Sequence, residues 1–424
     1  MDDNTKTSWQ RTILHCDCNA FFASVEETFS PELKLVPMAI AGDEENRHGI
    51  ILAKNELAKK YRIQTAETVW SAKRKCPDLV LRPPRRQAYG EFCKRVNAIY
   101  EEYTDRVERF GMDESFLDLT GSLRRFEGDA DRAANELRER VKTEIGITIS
   151  VGVSWNKVFA KLGSDYQKPD AVTLINRDNW REIVWPLPAS DLFLVGRKTA
   201  EKLQGYNIRT IGDIAYTSRA SLAQWLGRLG EQLYINANGL DESPVALAGE
   251  DEAAKSIGNS MTFRRDLVTD SDIHTGLVMI ADSVAARLRR SGVKCRTVQI
   301  TMKDTSLKSI TRQTTLAAPT FVSSELVSVA TGLIAKHWQR GKPIRMLGIT
   351  GENLIPADEA EGGQMSFFDE PDEVRNERAE KLELAIDGIR GKFGKHALQR
   401  AVMFENDLLM VDGRNVKSCE RTEK

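Results

Sequence analysis

The segment RVERFGMDESFLDLT, residues 106–120, constrains the fold of this chain more than any other feature. It predicts two strands joined by a tight turn at Gly111 to Glu114, which places the adjacent acids Asp113 and Glu114 on a hairpin. Another apolar strand, Thr12 to Asp17, also ends in an acid. If the two strands are neighbours, three carboxylates converge, and a bound metal ion would explain why such repelling groups are adjacent. The alternative is a solvated turn, with Asp17 capping a helix that begins near Ala20.

The order of elements predicts several domains. At 424 residues the chain exceeds the size of one hydrophobic core, so we expect two to four domains. Alternating strands and helices predict an antiparallel-rich sheet covered by helices, with a small subdomain inserted at residues 31–84. From about 186 to 243 the pattern is helical and contains a helix-hairpin-helix, a unit that binds phosphate backbone in some proteins and nothing in others. From Lys255 to Thr350 the order strand, helix, strand, strand, helix, strand predicts a ferredoxin-like sandwich.

The overall charge is balanced, but its distribution is not. There are 61 Lys and Arg against 62 Asp and Glu, so the total gives no indication of a polyanionic partner. The predicted sandwich, in contrast, has 15 basic and 6 acidic residues, and the segment after it, 352–380, is acidic. Six scattered cysteines lack the spacing of zinc sites or of a disulfide framework. No apolar run approaches the roughly 20 residues of a membrane span, so we expect a cytoplasmic protein.

The three acids suit phosphoryl transfer to a hydroxyl. Such a reaction requires charge neutralisation at both the attacking and the leaving oxygen, which two divalent ions bridged by carboxylates provide. Mg²⁺ prefers oxygen ligands. Asp17, Asp113 and Glu114 therefore predict a two-metal site if their strands pair.

Two motifs resemble those of a known family. HCDCNAFFASVE (15–26) and GMDESFLDLT (111–120) resemble the two catalytic motifs of Y-family DNA polymerases, and more narrowly of their bacterial branch. The resemblance continues through SVGVSWNKVFAKLGSDYQKPD (150–170) and covers the chain nearly from Thr12 to Asn406. It implies an α+β multidomain, right-hand polymerase. Its parts would be a ferredoxin-like palm (1–30 and 85–176), small fingers (31–84), a helical, helix-hairpin-helix thumb (177–243), a second ferredoxin-like domain called the little finger (253–352), and a tail (353–424) with a clamp-binding peptide and a terminal helix.

The resemblance also implies the roles of single residues. Asp17, the backbone carbonyl of Cys18, Asp113 and Glu114 would hold two Mg²⁺ ions, or Mn²⁺ in their place, with Asp17 and Asp113 bridging and Glu114 also catalytic. Phe22 would be the steric gate, whose ring leaves no room for a 2′-hydroxyl; the alternative is a core aromatic. Lys168 would contact the incoming triphosphate as a point charge, and the alternative is a solvated lysine.

The chain departs from the family pattern at three places. Glu56 and Lys59 stand where family members commonly have a tyrosine and an arginine on the triphosphate. Lys59 can replace the charge of the arginine but not its bidentate fork, and Glu56 cannot replace the tyrosine. Asn19 replaces the second acid of the first motif, and Gly111-Met112 replaces the usual serine context. None of these changes removes a predicted metal ligand.

The expected partners are primer–template DNA, deoxynucleoside triphosphates and a sliding clamp, the beta subunit. The little finger would hold duplex phosphates through Lys255, Ser256, Arg264 and Arg265, which positions DNA without reading its sequence. The tail segment QMSFFD resembles a bacterial clamp-binding peptide, with Gln364, Met365, Phe367 and Phe368 as anchors. The alternative for this segment is a strand or helix cap folded back on the protein.

The resulting prediction is a monomeric, error-prone translesion DNA polymerase that is poorly processive without its clamp. Small fingers imply a loose grip on the nascent base pair, and the chain is accounted for without a proofreading nuclease. Two alternatives remain open. The first is a palm-type nucleotidyl cyclase, which needs neither thumb nor basic sandwich. The second is a catalytically weak homologue that binds DNA and clamp, to which Glu56 and Asn19 point.

Overall fold

The protein forms two compact units in the computed structural model. The structure describes residues 11–42, 49–250, 253–359, 370–394, 396–404, 407 and 408. Described residues before 251 belong to the first unit and those from 253 onward to the second. Each unit packs helices against sheets, which confirms the α+β class. None of the described helices is long and apolar enough to cross a membrane.

The first unit has eight strands and eleven α-helices among its described residues. The strands are β1 Ile13–Cys18, β2 Met38–Ala41, β3 Ile51–Lys54, β4 Val80–Arg82, β5 Val107–Arg109, β6 Glu114–Asp118, β7 Ile149–Ser154 and β8 Val172–Leu174. The helices are α1 Phe21–Phe29, α2 Glu56–Lys60, α3 Val69–Lys75, α4 Arg86–Glu101, α5 Ala130–Arg140, α6 Lys157–Tyr166, α7 Trp180–Val184, α8 Arg197–Gly205, α9 Ile211–Tyr216, α10 Arg219–Leu226 and α11 Arg228–Ala237.

The palm is built on a five-stranded sheet with the order β5-β6-β1-β7-β8. Strand β1 is central, pairs antiparallel with β6 and β7, and is buried along its whole length. Because side chains alternate along a strand, Leu14, Cys16 and Cys18 face the core shared with α4 and α5. Ile13 and His15 face the other way, towards α6. Asp17 follows the same alternation and lies on the α6 side.

Two element bounds in the palm differ from the sequence-based predictions. Glu114 is the first residue of β6, so only Asp113 of the acid pair belongs to the connection between β5 and β6. The sequence also predicts one helix from Asp129 to Ile145, but this helix is regular only to Arg140, and a π-helical turn, Val141–Ile145, follows it. Asp129 itself caps the helix by accepting a hydrogen bond from the Arg132 amide.

The fingers form a separate three-stranded sheet, β3-β2-β4, with a small core of its own. Asn55 organises this subdomain, because its side chain is buried and fully used. The amide oxygen accepts from the Met38 and Ala58 backbone amides, and the amide nitrogen donates to the carbonyls of Leu33 and Val36. It therefore both caps α2 and joins it to β2.

The thumb contains α7 to α11 around an apolar core. The segments LVGRKTAEKL and YNIRTIGDIA predict the two helices of the hairpin, which are present as α8 and α9 but begin later than these segments do. Leu194 has a φ of 75°, a left-handed conformation that an α-helix cannot include, so α8 begins after it. Thr210 and Asp213 form a capping box that fixes the start of α9.

The second unit follows the predicted strand, helix, strand, strand, helix, strand order and adds a further helix. Its elements are β9 Ser256–Leu267, α12 Asp270–Arg290, β10 Val293–Lys303, β11 Ser309–Thr320, α13 Ser323–His337, β12 Ile344–Pro356 and α14 Glu370–Phe393. The sheet order is β11-β10-β12-β9, with antiparallel neighbours throughout. Helices α12 and α13 cover one face and enclose the apolar core.

Candidate active site

The acids predicted from the hairpin and from the first strand lie together. In the β1/β6 ladder Asp17 is the direct cross-strand partner of Glu114. Directly opposed residues point to the same face of a sheet, with Cβ atoms about 5 Å apart. The Cys18 amide donates to the Asp113 carbonyl at 2.9 Å, which draws the β5–β6 connection onto the end of β1. The alternative in which Asp17 caps the first helix is wrong, because Ala20 is the N-cap of α1 and no side chain caps it.

The three carboxyl groups have different environments. Asp17 is 7% exposed, and burial raises its pKa to about 6 despite the nearby Lys168. Burial, together with the negative charge of Glu114, also raises the pKa of Asp113. The His15 ring and then Lys161 lower the pKa of Glu114 to about 2. Glu114 is therefore the firmly ionised member of the group, whereas nearby positive charge compensates only in part for the burial of Asp17 and Asp113.

Two lysines neutralise the carboxylates. Lys168 donates from Nζ to Asp17 Oδ2 at 2.6 Å and lies 2.7 Å from Asp165 Oδ1. Lys161 donates to Glu114 Oε2 at 2.6 Å. Lys168 is thus not the solvated lysine of the alternative interpretation. With these contacts made, no three His, Cys, Asp or Glu side chains within the described ranges are arranged as a metal site.

The residues nevertheless suit hard divalent cations. The available donors are carboxylate oxygens and the Cys18 carbonyl, which match the ligand preference of Mg²⁺. The raised pKa values of Asp17 and Asp113 mean that a cation would relieve a deficit of positive charge. The lysine ammonium groups occupy part of that role here. The donor set and its electrostatics therefore fit a metal ion.

A cavity of about 220 Å³ adjoins this cluster. It brings together five of the predicted site residues: Asp17, Cys18, Phe22, Lys59 and Asp113. Glu114 is not among the lining residues and faces His15 and Lys161 instead. The fingers contribute Leu52, Ala53, Lys54 and Thr65 to the opposite wall. The cavity therefore lies between palm and fingers, with carboxylates on one side and lysines on the other.

Phe22 lies at the wall of this cavity and is held by a stacked aromatic. Its ring is nearly parallel to that of Tyr89, with centroids 4.3 Å apart and an angle of 12°. The Tyr89 hydroxyl donates to Glu26 Oε1 at 2.8 Å, and Arg85 contacts both oxygens of the same carboxylate. Phe22 is only partly buried, so it is not a simple core aromatic.

Most of the chain is similar to known DNA polymerases. Models of the impB/mucB/samB family and of its C-terminal domain match residues 16–165 and 254–367, and a model described as the DNA polymerase-iota thumb domain matches residues 190–241. DNA polymerase IV of Acetivibrio thermocellus is 44% identical over 397 residues, covering 94% of this chain and 98% of that protein. DNA polymerase IV 1 of Bacillus subtilis is 33% identical, covering 94% of each.

The chain belongs to the Y family of DNA polymerases. It is a DNA-directed DNA polymerase, and its homologues are the DNA polymerases IV of the family's bacterial branch. A solved Y-family DNA polymerase chimera, Dbh-Dpo4(243-245)-Dbh, superposes with a TM-score of 0.71 over 81% of this chain and 99% of the chimera. At 18% identity that likeness shows the fold, and it confirms the right-hand architecture expected from the sequence.

The departures from the Y-family pattern have structural consequences. Lys59 Nζ lies 2.5 Å from Glu56 Oε1, so the residue that replaces the tyrosine holds the one that replaces the arginine. Lys54, which the sequence reasoning missed, lines the same wall of the cavity and donates to Thr65 Oγ1 at 3.2 Å. The fingers therefore offer two lysines, one of them partly neutralised.

Asn19, at the position of the second acid of the Y-family motif, joins three segments. Its amide nitrogen donates to Ser150 Oγ at 2.9 Å, and its amide oxygen accepts from Thr148 Oγ1 and from the Asp170 amide. An aspartate could accept but could not donate to Ser150. The side chain thus fixes the loop that carries Lys168 against the end of β1.

Three further residues in the palm escaped the sequence reasoning. His15 Nε2 lies 3.3 Å from Glu114 Oε2, and its Nδ1 is 2.7 Å from Ser164 Oγ. Lys161 and Lys157 stand one turn apart on α6 and pair with Glu114 and Glu108. The available signal was this lysine pair, which interrupts the apolar face of an amphipathic helix.

The DNA contacts predicted in the second unit lie on or beside β9. Ser256 and Arg264 are exposed along the strand. Lys255 immediately precedes it. Arg265 is held in place by two carboxylates, Asp272 at 2.8 Å and Asp407 at 2.7 Å. The predicted clamp-binding residues, Gln364, Met365, Phe367 and Phe368, lie outside the described residues.

Proposed function

We propose that this polymerase carries out error-prone, poorly processive translesion synthesis, with two divalent cations held by Asp17, Asp113, Glu114 and the Cys18 carbonyl. Its substrates are primer–template DNA and deoxynucleoside triphosphates, as its family membership requires. The observation that carries the proposal is the β1/β6 register, which sets Asp17 opposite Glu114 beside a cavity lined by Phe22. Dependence on divalent metal is general in the family; the choice of Mg²⁺ and the number of ions belong to the proposal.

Bound cations would lower the pKa of the primer 3′-hydroxyl and neutralise charge on the triphosphate and the departing pyrophosphate. The protein's own part is mainly positioning. His15 and Lys161 keep Glu114 ionised and oriented. The ammonium group of Lys168 now binds the Asp17 carboxylate. It would bind a phosphate oxygen of the incoming triphosphate instead. Lys54 and Lys59 provide positive charge on the fingers side of the cavity.

The proposed low fidelity follows from the cavity walls. The described residues that line the fingers side of the cavity are Leu52, Ala53, Lys54, Lys59 and Thr65, none of which is aromatic. A wall of this kind imposes little shape selection on the nascent pair, so correct and incorrect pairs differ little in transition-state binding. The same looseness would admit a damaged template base. Phe22 acts on the sugar, where its stacked ring would exclude a 2′-hydroxyl.

A sliding clamp is proposed as the processivity partner, through residues 364–369. The support is the sequence match QMSFFD in a polymerase tail. The segment lies between β12, which ends at Pro356, and α14, which begins at Glu370.

One observation favours the alternative of a catalytically weak DNA-binding homologue. Glu56 neutralises part of the charge of Lys59, which would weaken the binding of a triphosphate by the fingers. Family membership removes the nucleotidyl cyclase alternative, because the cyclase expectation included neither thumb nor basic sandwich.

Primer extension with Mg²⁺ tests the proposal. We expect template-directed incorporation, reduced at least about 100-fold in Asp113→Ala and Glu114→Ala because transition-state charge is no longer neutralised. Glu139→Ala, which removes an exposed acid of α5, is the matched control and should extend normally. Equal extension by all variants would refute the site assignment, and absence of extension by the native chain would favour the weak homologue.

A further inference from the structure

Trp70 on α3 is a large exposed aromatic residue that has no role in the proposed active site. Two thirds of the residue, 66%, is accessible to solvent. The Arg74 guanidinium lies over its ring, 4.8 Å from the centroid. This contact orients the indole and places positive charge beside a flat apolar surface. An exposed tryptophan held in this way is suited to stacking on another planar group.

The surroundings of Trp70 are strongly basic. Residues 49–84 contain eight Lys or Arg against three Asp or Glu, a net charge of +5. Helix α3 itself carries Lys73, Arg74 and Lys75 and no acid. Lys75 anchors the helix through Glu67 and the Arg62 carbonyl. The charge of this surface is complementary to a polyanion rather than to an apolar protein surface.

The position of α3 connects Trp70 to the nucleotide cavity. The Val69 amide donates to the Gly49 carbonyl, and Thr68 forms a β-bridge with Ile50. The chain continues from Ile50 into β3, and its residues Leu52 to Lys54 line the cavity. At roughly 3.3 Å per residue, Ile50 is about 7 Å along the strand from Leu52. Trp70 therefore lies close to the start of the strand that lines the cavity and is not itself a lining residue.

We propose that Trp70, oriented by Arg74, stacks on a base of the unpaired template strand ahead of the cavity. The inference rests on the proposed function, since it needs a template strand in this place. Aromatic side chains on a basic surface bind single strands without sequence preference, because every base offers a planar face. Such a contact would hold the template straight before its next base enters the site.

Fluorescence anisotropy with labelled primer–template tests the stacking, without nucleotide or divalent cation. One substrate has a template overhang of one nucleotide and the other an overhang of eight. Trp70→Ala should weaken binding of the long overhang about tenfold and leave the short one unchanged. Trp70→Phe, which keeps a ring, should retain most of the affinity. Leu35→Ala removes another exposed apolar side chain of the fingers, 81% exposed, and should bind like the native protein.

A second measurement does not depend on the alanine variant. Adding an unlabelled single strand should quench the tryptophan fluorescence of the native protein more than that of Trp70→Phe. Equal quenching, an unchanged affinity of Trp70→Ala for the long overhang, or equal losses on both substrates would overturn the proposal and leave the surface to a protein partner. Failure of the native chain to extend any primer would refute the proposed function alone, because the overhang-dependent binding is measured without synthesis.

Discussion

Asp17 and Glu114 face each other across two strands, and their pKa values move in opposite directions. Burial dominates at Asp17, whereas the His15 ring, 3.3 Å away, and the hydrogen bond from Lys161 dominate at Glu114. Lys168 offsets the burial of the Asp17 carboxylate only in part, so the site favours additional positive charge. In the metal-free protein the ionised Asp17 should therefore lower the free energy of unfolding.

Asp17→Asn is therefore expected to stabilise the protein in the presence of EDTA. An acid whose pKa rises from 3.8 to about 6 on folding disfavours the folded state when it is ionised. Such a difference corresponds to at most about 3 kcal/mol, fully present well above pH 6 and absent below about pH 4. Urea unfolding of the native and variant proteins at pH 8 and pH 4 measures it. A variant that is less stable at pH 8 would contradict this account of Asp17.

Phe22→Ala is expected to admit ribonucleotides. The ring lines the cavity and is stacked on Tyr89, so its removal would open space where we propose that the sugar binds. Incorporation of a ribonucleotide relative to the matching deoxynucleotide should rise at least about tenfold. Phe22→Tyr keeps the ring and should keep the discrimination. Single-nucleotide incorporation rates provide the measurement, and unchanged sugar selection in Phe22→Ala would reject the gate.

At the residue scale the sequence predicted the acids and Phe22, but not the groups that hold them. Asp113 and Glu114 were recognisable because adjacent acids between apolar strands are unusual. Lys161, His15 and Tyr89 act through partners 47, 99 and 63 residues away in the chain. No local pattern marks such pairs, because each of these residue types is also common in ordinary helices and strands.

Among the elements, α6 and β7 show how closely backbones must approach to build the site. A Cβ on Gly152 would come within 1.9 Å of the Ala160 carbonyl oxygen and 2.4 Å of the Ser164 amide nitrogen. The contact sets α6 directly on the sheet. The close packing also fixes the distance of Lys157 and Lys161 from their carboxylate partners on the sheet.

Gly152→Ala should consequently destabilise the first unit by at least about 3 kcal/mol, because backbone atoms rather than flexible side chains would have to move. Gly90→Ala in α4 is the matched control, since nothing lies within 4 Å of its added Cβ. That control should be neutral or slightly stabilising, by about 0.5 to 1 kcal/mol. Thermal or urea unfolding compares the two variants. A Gly152→Ala protein as stable as the control would mean that α6 is not packed this tightly.

Helix α14 is the element whose packing the sequence predicted least well. A terminal helix was expected, but the sequence did not indicate what it packs against. In the structure Arg289, 2% exposed, is paired with Glu383, which is 5% exposed, and with Asp387. Arg400 also contacts Glu383, at 2.7 Å. Part of the positive charge of the second unit is therefore neutralised by carboxylates of α14 and is not available to bind DNA, because buried arginines need carboxylate partners.

For the whole molecule, the order and type of elements could be predicted because hydrophobic periodicity is local. The β-α-β-β-α-β order of the second unit and the helical thumb both followed from it. Strand order could not, since pairings such as β1 with β6 and β7 join segments about 100 to 140 residues apart. The exact limits of palm, fingers and thumb stay predictions.

Deletion of residues 364–369 is expected to separate processivity from chemistry. If the segment binds a sliding clamp, the deletion should remove clamp stimulation of primer extension and leave clamp-free extension unchanged, because no residue of the proposed active site is touched. Replacing the segment with a scrambled sequence of equal length is the control for spacing. Loss of clamp-free synthesis would instead indicate that the segment has a structural role.

The convergence of Asp17, Asp113 and Glu114 on divalent cations is tested most directly by a crystal structure of the protein with primer–template, an incoming nucleotide and Mn²⁺. We expect anomalous peaks about 2 Å from carboxylate oxygens of Asp17 and Asp113, with Lys168 turned from Asp17 towards the triphosphate. Manganese bound elsewhere, with Lys168 still paired to Asp17 and no ion between the carboxylates, would contradict it.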